Sequence, residues 1–62
     1  MPIVNIVVAS KLNKEQKVAL VKGITASVIE VTKAPAQAVT VVIEEVDREN
    51  IATAGVLLAD RT

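Results

Sequence analysis

Few groups in this sequence could do chemistry, and the first of them is the backbone nitrogen of Pro2. While Met1 is attached, this nitrogen belongs to a tertiary amide and has no useful basicity. Once Met1 is removed, it becomes a secondary amine at the start of an apolar segment. Burial there disfavours the protonated form and lowers the pKa of the amine toward neutrality, where a general base works best. Pro2 is therefore either a candidate general base that needs no metal and no organic cofactor, or an ordinary second residue that only exposes the chain to methionine removal.

The residue types that are missing narrow the chemistry further. The 62 residues include no Cys and no His, so a disulfide framework is excluded and neither a thiolate site nor a typical zinc site is expected. There is also no Phe, Trp or Tyr on which bases could stack, and the seven basic and seven acidic side chains are scattered along the chain. We therefore expect no nucleic acid partner.

Two apolar segments that flank a helix must position Pro2. Residues 2–9 and 39–46 are rich in Val and Ile on both faces, which is typical of strands that are covered on both sides. The helix between them, of about 18 residues, is long enough for the right-handed crossover that makes two strands parallel. Residues 47–50 form a predicted turn, and residues 51–62 form a tail around Gly55 that fits a hairpin or an edge strand. The predicted fold class is α/β, with a single β-α-β unit and a short C-terminal hairpin or tail in one domain over residues 1–62.

The predicted helix has clear start and stop signals. Asn13 is a predicted N-cap, and Gln16 is the reciprocal half of a capping box. A period of 3.6 residues then runs from residue 14 to about 32, and Pro35 ends the helix by disfavouring the helical conformation at Ala34. The stripe predicted to pack on the sheet comprises Leu20, Val21, Ile24, Val28 and Val31. A further apolar flank, which we interpret as a subunit contact, comprises Val18, Ala19, Ala26 and Ile29.

Size and composition together predict an oligomer. A chain this short buries only about 60% of its unfolded surface, so it is marginally stable alone. Apolar residues make up 52% of the sequence, which is more than one small core can hide. A two-stranded sheet is also not stable by itself in water. Because disulfides and metals are not expected, subunit association remains as the means of completing the sheet.

Neither a membrane span nor a signal peptide is expected. The longest apolar stretches, residues 6–9 and 55–59, are far shorter than the roughly 20 residues that cross a bilayer. No charged region precedes an apolar segment in the manner of a signal peptide. The expected location is the cytoplasm.

Several short stretches at matching spacing carry a resemblance to a known family. They are Pro2 before an apolar strand, Asn13-Lys14-Glu15-Gln16-Lys17, Ala34-Pro35, Ile43-Glu44-Glu45-Val46, Ala54-Gly55-Val56 and Ala59-Asp60. Over its full length and without a gap, the sequence resembles the 4-oxalocrotonate tautomerases. The resemblance implies the tautomerase fold, dimers whose sheets join, and a homo-hexamer built as a trimer of dimers, although some relatives build a hetero-hexamer from two different chains. It also implies that Pro2 moves a proton between positions of a small-molecule substrate such as a 2-hydroxydienoate or an enol pyruvate.

The sequence departs from the family at three positions. Where the family has an arginine that binds a substrate carboxylate, this chain has Leu12, preceded by Lys11 in place of glycine. Lys11 either supplies a substrate-binding cation one residue early or is an ordinary solvated loop lysine. Thr40 replaces a second arginine, which argues against a dicarboxylate substrate. Ile51 replaces an aromatic residue over the proline, and either forms an apolar wall of the site or only packs in an interface.

Three functions remain open from the sequence. The first is an isomerase that depends on Pro2 and that is weak or has an altered substrate. The second is a non-catalytic or weakly active subunit of a mixed hexamer in which another chain supplies the arginines. The third is a small interaction module without chemistry.

Overall fold

The computed structural model describes residues 1–61 and contains the predicted β-α-β unit followed by a hairpin. The main elements are β1 (Ile3–Val8), α1 (Lys14–Thr32) and β2 (Thr40–Glu45), and the hairpin strands are β3 (Ala52–Thr53) and β4 (Val56–Leu57). Short 3₁₀ turns occupy Ala36–Ala38, Arg48–Asn50 and Leu58–Asp60. The two long strands and the helix agree with their predicted bounds to within one residue. Thr62, the last residue of the predicted tail, lies outside the described residues.

Strands β1 and β2 are parallel neighbours, as predicted. Ile3 is paired with Thr40 at one end of the sheet, and Val8 is paired with Glu45 at the other. Hydrogen bonds extend the pairing past both ends, because the Thr40 N–H donates to the carbonyl of Pro2 at 3.0 Å and the Val46 N–H donates to the carbonyl of Val8 at 2.9 Å. Pro2 is thereby fixed at the amino end of the sheet.

The predicted capping box is present at the start of α1. The Gln16 N–H donates to the Asn13 side chain at 2.8 Å, and the Asn13 N–H donates to the Gln16 side chain at 2.9 Å. These bonds satisfy two backbone donors that the first helical turn leaves without partners. The helix ends at Lys33, which has φ 63° and whose N–H donates to the carbonyl of Ile29 at 2.9 Å.

The face of α1 that packs on the sheet is shorter than predicted. Leu20, Val21, Ile24 and Val28 are half-buried, but Val31 is 81% exposed, so its assignment to the packed stripe is wrong. The angular position of Val31 around the helix fits the stripe. Val31 is exposed because the helix is longer than the sheet. A 19-residue helix spans about 28 Å, whereas a six-residue strand spans about 20 Å. The last helical turn therefore passes beyond the sheet.

The sheet face opposite α1 is bare, and three of its six side chains are apolar. Ile3, Val7 and Val42 on this face are 63%, 59% and 48% exposed, and no residue of the described chain is fully buried. The molecule is only 14 Å thick in its thinnest direction, and its radius of gyration is 14.6 Å, compared with about 11 Å for a compact domain of this length. The described residues therefore form a two-layer slab without an enclosed core.

The tail adopts the first of the two predicted forms, a hairpin. Thr53 pairs with Val56, and the two residues between them, Ala54 and Gly55, have φ values of 52° and 78°. Positive φ at both central residues is typical of a type I′ turn, whose twist matches that of hairpin strands.

Within residues 1–61, no helix combines the length and the apolar character needed to cross a membrane.

Candidate functional site

Pro2 lies at the amino end of the sheet, next to the first residue of β2. It is half-buried, and its carbonyl accepts the hydrogen bond from the Thr40 N–H. Met1 is 90% exposed, so its peptide bond to Pro2 is at the surface. Thr40, where the family resemblance implies a second arginine, is therefore brought next to Pro2 within the chain.

The concave surface with polar side chains lies at the other end of the sheet. An open cleft of about 520 Å³ is formed where β1 and β2 end, between the loop that enters α1 and the turn that follows β2. Its lining residues are Ala9, Ser10, Lys11, Leu12, Glu45, Val46, Asp47 and Arg48. A second groove of about 440 Å³ lies between α1 and β1, but Ser27 is the one polar side chain in its lining. The first cleft is therefore the better candidate for binding a polar ligand.

Glu45 lines this cleft and bonds to α1 and to the loop before it. One carboxylate oxygen, Oε1, is 2.7 Å from Lys17 Nζ, and the other, Oε2, accepts a hydrogen bond of 2.8 Å from the Leu12 N–H. These two bonds join the last residue of β2 to the first turns of α1 and to the loop before it. The Lys17 ammonium, followed by the Leu12 N–H and the charge of Lys11, holds the pKa of Glu45 below its usual value.

Arg48 also lines the cleft and is anchored to the tail. Its Nη2 donates a hydrogen bond of 2.9 Å to the carbonyl of Leu58. Arg61 makes a similar bond of 2.9 Å to the carbonyl of Thr53, but it does not line the cleft. The 3₁₀ turn that carries Arg48 is thus linked by this side chain to the last 3₁₀ turn, Leu58–Asp60.

The structure brings Lys11 and Leu12 together in the cleft but places Pro2 far from them. The two locations are separated by the length of β1, about 20 Å for six residues. Ile51 follows β2 at the same end as the cleft, is half-buried and does not line the cleft. One chain therefore does not place Lys11 or Ile51 beside Pro2.

Sequence reasoning did not single out Glu45 or Arg48 as site residues. A usable signal was present, because the carboxyl ends of adjacent parallel strands meet at one edge of a sheet, where ligands commonly bind. That rule places the residues after β1 and after β2 in one neighbourhood. Within residues 1–61, no group of three or more acidic, His or Cys side chains is arranged to hold a metal ion.

Comparisons with known proteins agree on one family. The family model described as tautomerase enzyme matches residues 2–61. A protein of Bacillus cereus named "probable tautomerase" is 38% identical over 61 residues, which cover 98% of this chain and all of the relative. The solved structure of YwhB, a homologue of 4-oxalocrotonate tautomerase, has a TM-score of 0.92 and 34% identity, covering 98% of this chain and all of the other. A heterohexamer 4-oxalocrotonate tautomerase from Chloroflexus aurantiacus shares the fold with a TM-score of 0.90 at 22% identity, with full coverage of both chains.

Proposed function

Because the chain belongs to the tautomerase family, we propose that it catalyses keto-enol tautomerisation of a small 2-hydroxydienoate or enol-pyruvate-type substrate. The observation that supports this most directly is the position of Pro2, which is half-buried at the start of β1 behind an exposed Met1. After Met1 is removed, the neutral amine of Pro2 takes a proton from the substrate. The resulting ammonium returns that proton to another atom of the conjugated system, so the amine is regenerated and no cofactor is required.

The proposal includes a site that is completed between chains. In each copy, one edge of β1 and one edge of β2 have no strand partner within the described residues. When two identical edges join about a two-fold axis, the paired strands are antiparallel, so the amino end of one meets the carboxyl end of the other. Such a dimer brings Pro2 of one copy toward Lys11 of the second copy. Lys11 then binds the substrate, and Ile51 forms part of an apolar wall near the amine.

The bare sheet face supports further association of these dimers. Ile3, Val7 and Val42 are large apolar side chains exposed on one face, of the kind that soluble proteins cover with another subunit. A homo-hexamer made as a trimer of dimers covers this surface. One domain over residues 1–62 and a cytoplasmic location complete the proposal.

A second candidate function is that of a non-catalytic or weakly active subunit in a mixed hexamer. The observation that favours it is Leu12, an apolar residue in the cleft where the family resemblance implies a carboxylate-binding arginine. The Chloroflexus aurantiacus relative assembles as a heterohexamer. A partner chain with the missing arginine would restore the site in such an assembly.

The proposed function is tested by replacing Pro2 in protein whose intact mass shows that Met1 is absent. Pro2→Ala leaves a primary amine that is a poorer and less rigidly held base, so we expect the rate of phenylenolpyruvate ketonisation to fall severalfold or more. Pro35→Ala, which changes the second proline of the chain in the segment between α1 and β2, is the matched control and should keep the rate. Equal rates for wild type and Pro2→Ala, or for protein that retains Met1, would exclude Pro2 as the base.

A further inference from the structure

The cleft contains two cations that are not neutralised by ion pairs. Lys11 and Arg48 both line it, and within residues 1–61 the one ion pair of the protein is that between Lys17 and Glu45. Asp47 also lines the cleft, but it forms no ion pair with Arg48 in the described chain. Cations that line a cleft without forming an ion pair can attract an anionic ligand.

Glu45 is the second acid in the lining, and its carboxylate is already occupied. Oε1 is paired with Lys17 at 2.7 Å, and Oε2 accepts the Leu12 N–H at 2.8 Å. Lys17 comes from α1 and does not line the cleft. The ion pair thus neutralises Glu45 from outside and leaves Lys11 available to a ligand.

Arg48 is held in place by only part of its hydrogen-bonding capacity. A guanidinium has five N–H donors, and the bond from Nη2 to the carbonyl of Leu58 uses one of them. This bond fixes the side chain to the tail and reduces the rotamer entropy that is lost when a ligand binds. The planar group retains the donors that a bidentate contact with a carboxylate requires.

We propose that Arg48, together with Lys11, binds the carboxylate of the substrate in this cleft and replaces the contact that Leu12 cannot make. The preferred ligand is a monocarboxylate, because a second carboxylate would face Asp47 with no further cation in the lining. This inference rests on the proposed function for its role in catalysis, but the binding itself does not depend on proton transfer.

The test measures binding of 3-phenylpropionate to the assembled protein by NMR titration, with the neutral 3-phenylpropionamide as the second probe. Arg48→Gln should weaken binding of the carboxylate about tenfold, as expected for the loss of one charge-assisted contact. Arg48→Lys should recover part of the loss, because it keeps the charge without the planar fork. Arg61→Gln is the matched control, since it removes an equal charge and a similar bond to a tail carbonyl outside the cleft. It should change binding by less than about twofold.

Three results would overturn the inference. They are equal losses in Arg48→Gln and Arg61→Gln, an equal loss for the amide probe, and wild-type protein that does not bind 3-phenylpropionate. Sedimentation of each variant shows whether its assembly is intact, and Arg48→Lys supplies a second variant if Arg48→Gln dissociates. Failure of the proposed function has a different signature. Pro2→Ala would then turn over substrate as fast as wild type, while binding of 3-phenylpropionate would still depend on Arg48.

Discussion

The two ends of the parallel sheet differ in what they hold in place. At the amino end, Pro2 is fixed by a single backbone hydrogen bond from Thr40. At the carboxyl end, the side chains of Glu45 and Arg48 join the strand, the helix, the loop and the tail around a cleft. One end therefore supplies a candidate base, and the other supplies charged groups that can orient a substrate. Under the proposed function neither end is sufficient alone, and a second chain brings both groups to one place.

The largest effect is expected from a substitution that prevents association of the chains. Val42→Lys places a charge on the bare face, and burying an uncompensated charge costs on the order of 3–5 kcal/mol. We expect the proposed hexamer to dissociate, and because no described residue is fully buried in the single chain, helical structure should be lost at the same time. Sedimentation velocity and circular dichroism measure both effects. Val31→Lys changes a valine that is 81% exposed at the end of α1 and should leave assembly intact. A folded Val42→Lys monomer would contradict the expectation.

The next largest effect is expected when the two ends of the sheet are inactivated in different chains, which are then mixed. We expect Pro2→Ala chains and chains with both Lys11→Ala and Arg48→Gln to be poorly active alone. If each site takes Pro2 from one chain and the cleft from its dimer partner, random mixing by co-refolding should produce intact sites at roughly a quarter of the total. Phenylenolpyruvate turnover should rise accordingly in the mixture. Pro2→Ala chains refolded alone by the same procedure serve as the control. A site contained in one chain predicts no recovery on mixing.

The third prediction concerns the arginine that the family resemblance implies in the cleft and that this chain lacks. Leu12→Arg adds a guanidinium to the cleft, and one charge-assisted contact should raise kcat/KM for a carboxylate substrate by about tenfold. A neutral enol should respond much less, because it offers no carboxylate. If the variant changes neither substrate while Met1 is absent, the mixed-hexamer function becomes the better explanation. Co-purification with a relative that carries the arginine would then be measured next.

The strands, helix and caps could be predicted from the sequence because their signals are local. The capping box of Asn13 and Gln16 needs only three residues of separation, and the parallel pairing follows from the length of the connecting helix. Val31 was misplaced because periodicity gives the angle of a side chain around a helix but not the length of the sheet beneath it. That length depends on β1 and β2, which lie elsewhere in the sequence.

The candidate site was only partly predictable. Pro2 is a candidate because of the chemistry of its amine and the family resemblance, and Lys11 because of its place in that resemblance. The bond between the Leu12 N–H and Glu45 joins residues 33 positions apart and has no local signal. In the sequence, Arg48 is likewise only one charged residue of a polar turn. The structure shows that this turn borders the cleft. The antiparallel join that would bring Pro2 to Lys11 also involves a second chain, about which a single sequence carries only indirect information.

The smallest predicted effect concerns the Glu45 bonds that shape the carboxyl end. Lys17 and the Leu12 N–H lower the pKa of Glu45 in the folded chain, so its bonds stabilise the fold above the unfolded pKa and are lost as the pH falls through the lowered value. The urea midpoint of wild type should therefore slightly exceed that of Glu45→Gln at about pH 7, and the difference should shrink as the pH falls below the ordinary range of a carboxyl pKa. Glu30→Gln controls for charge, because Glu30 is an exposed helical acid that makes no ion pair among residues 1–61. A difference between wild type and Glu45→Gln that is independent of pH would mean that side-chain shape, and not the carboxylate charge, holds the loop carrying Lys11.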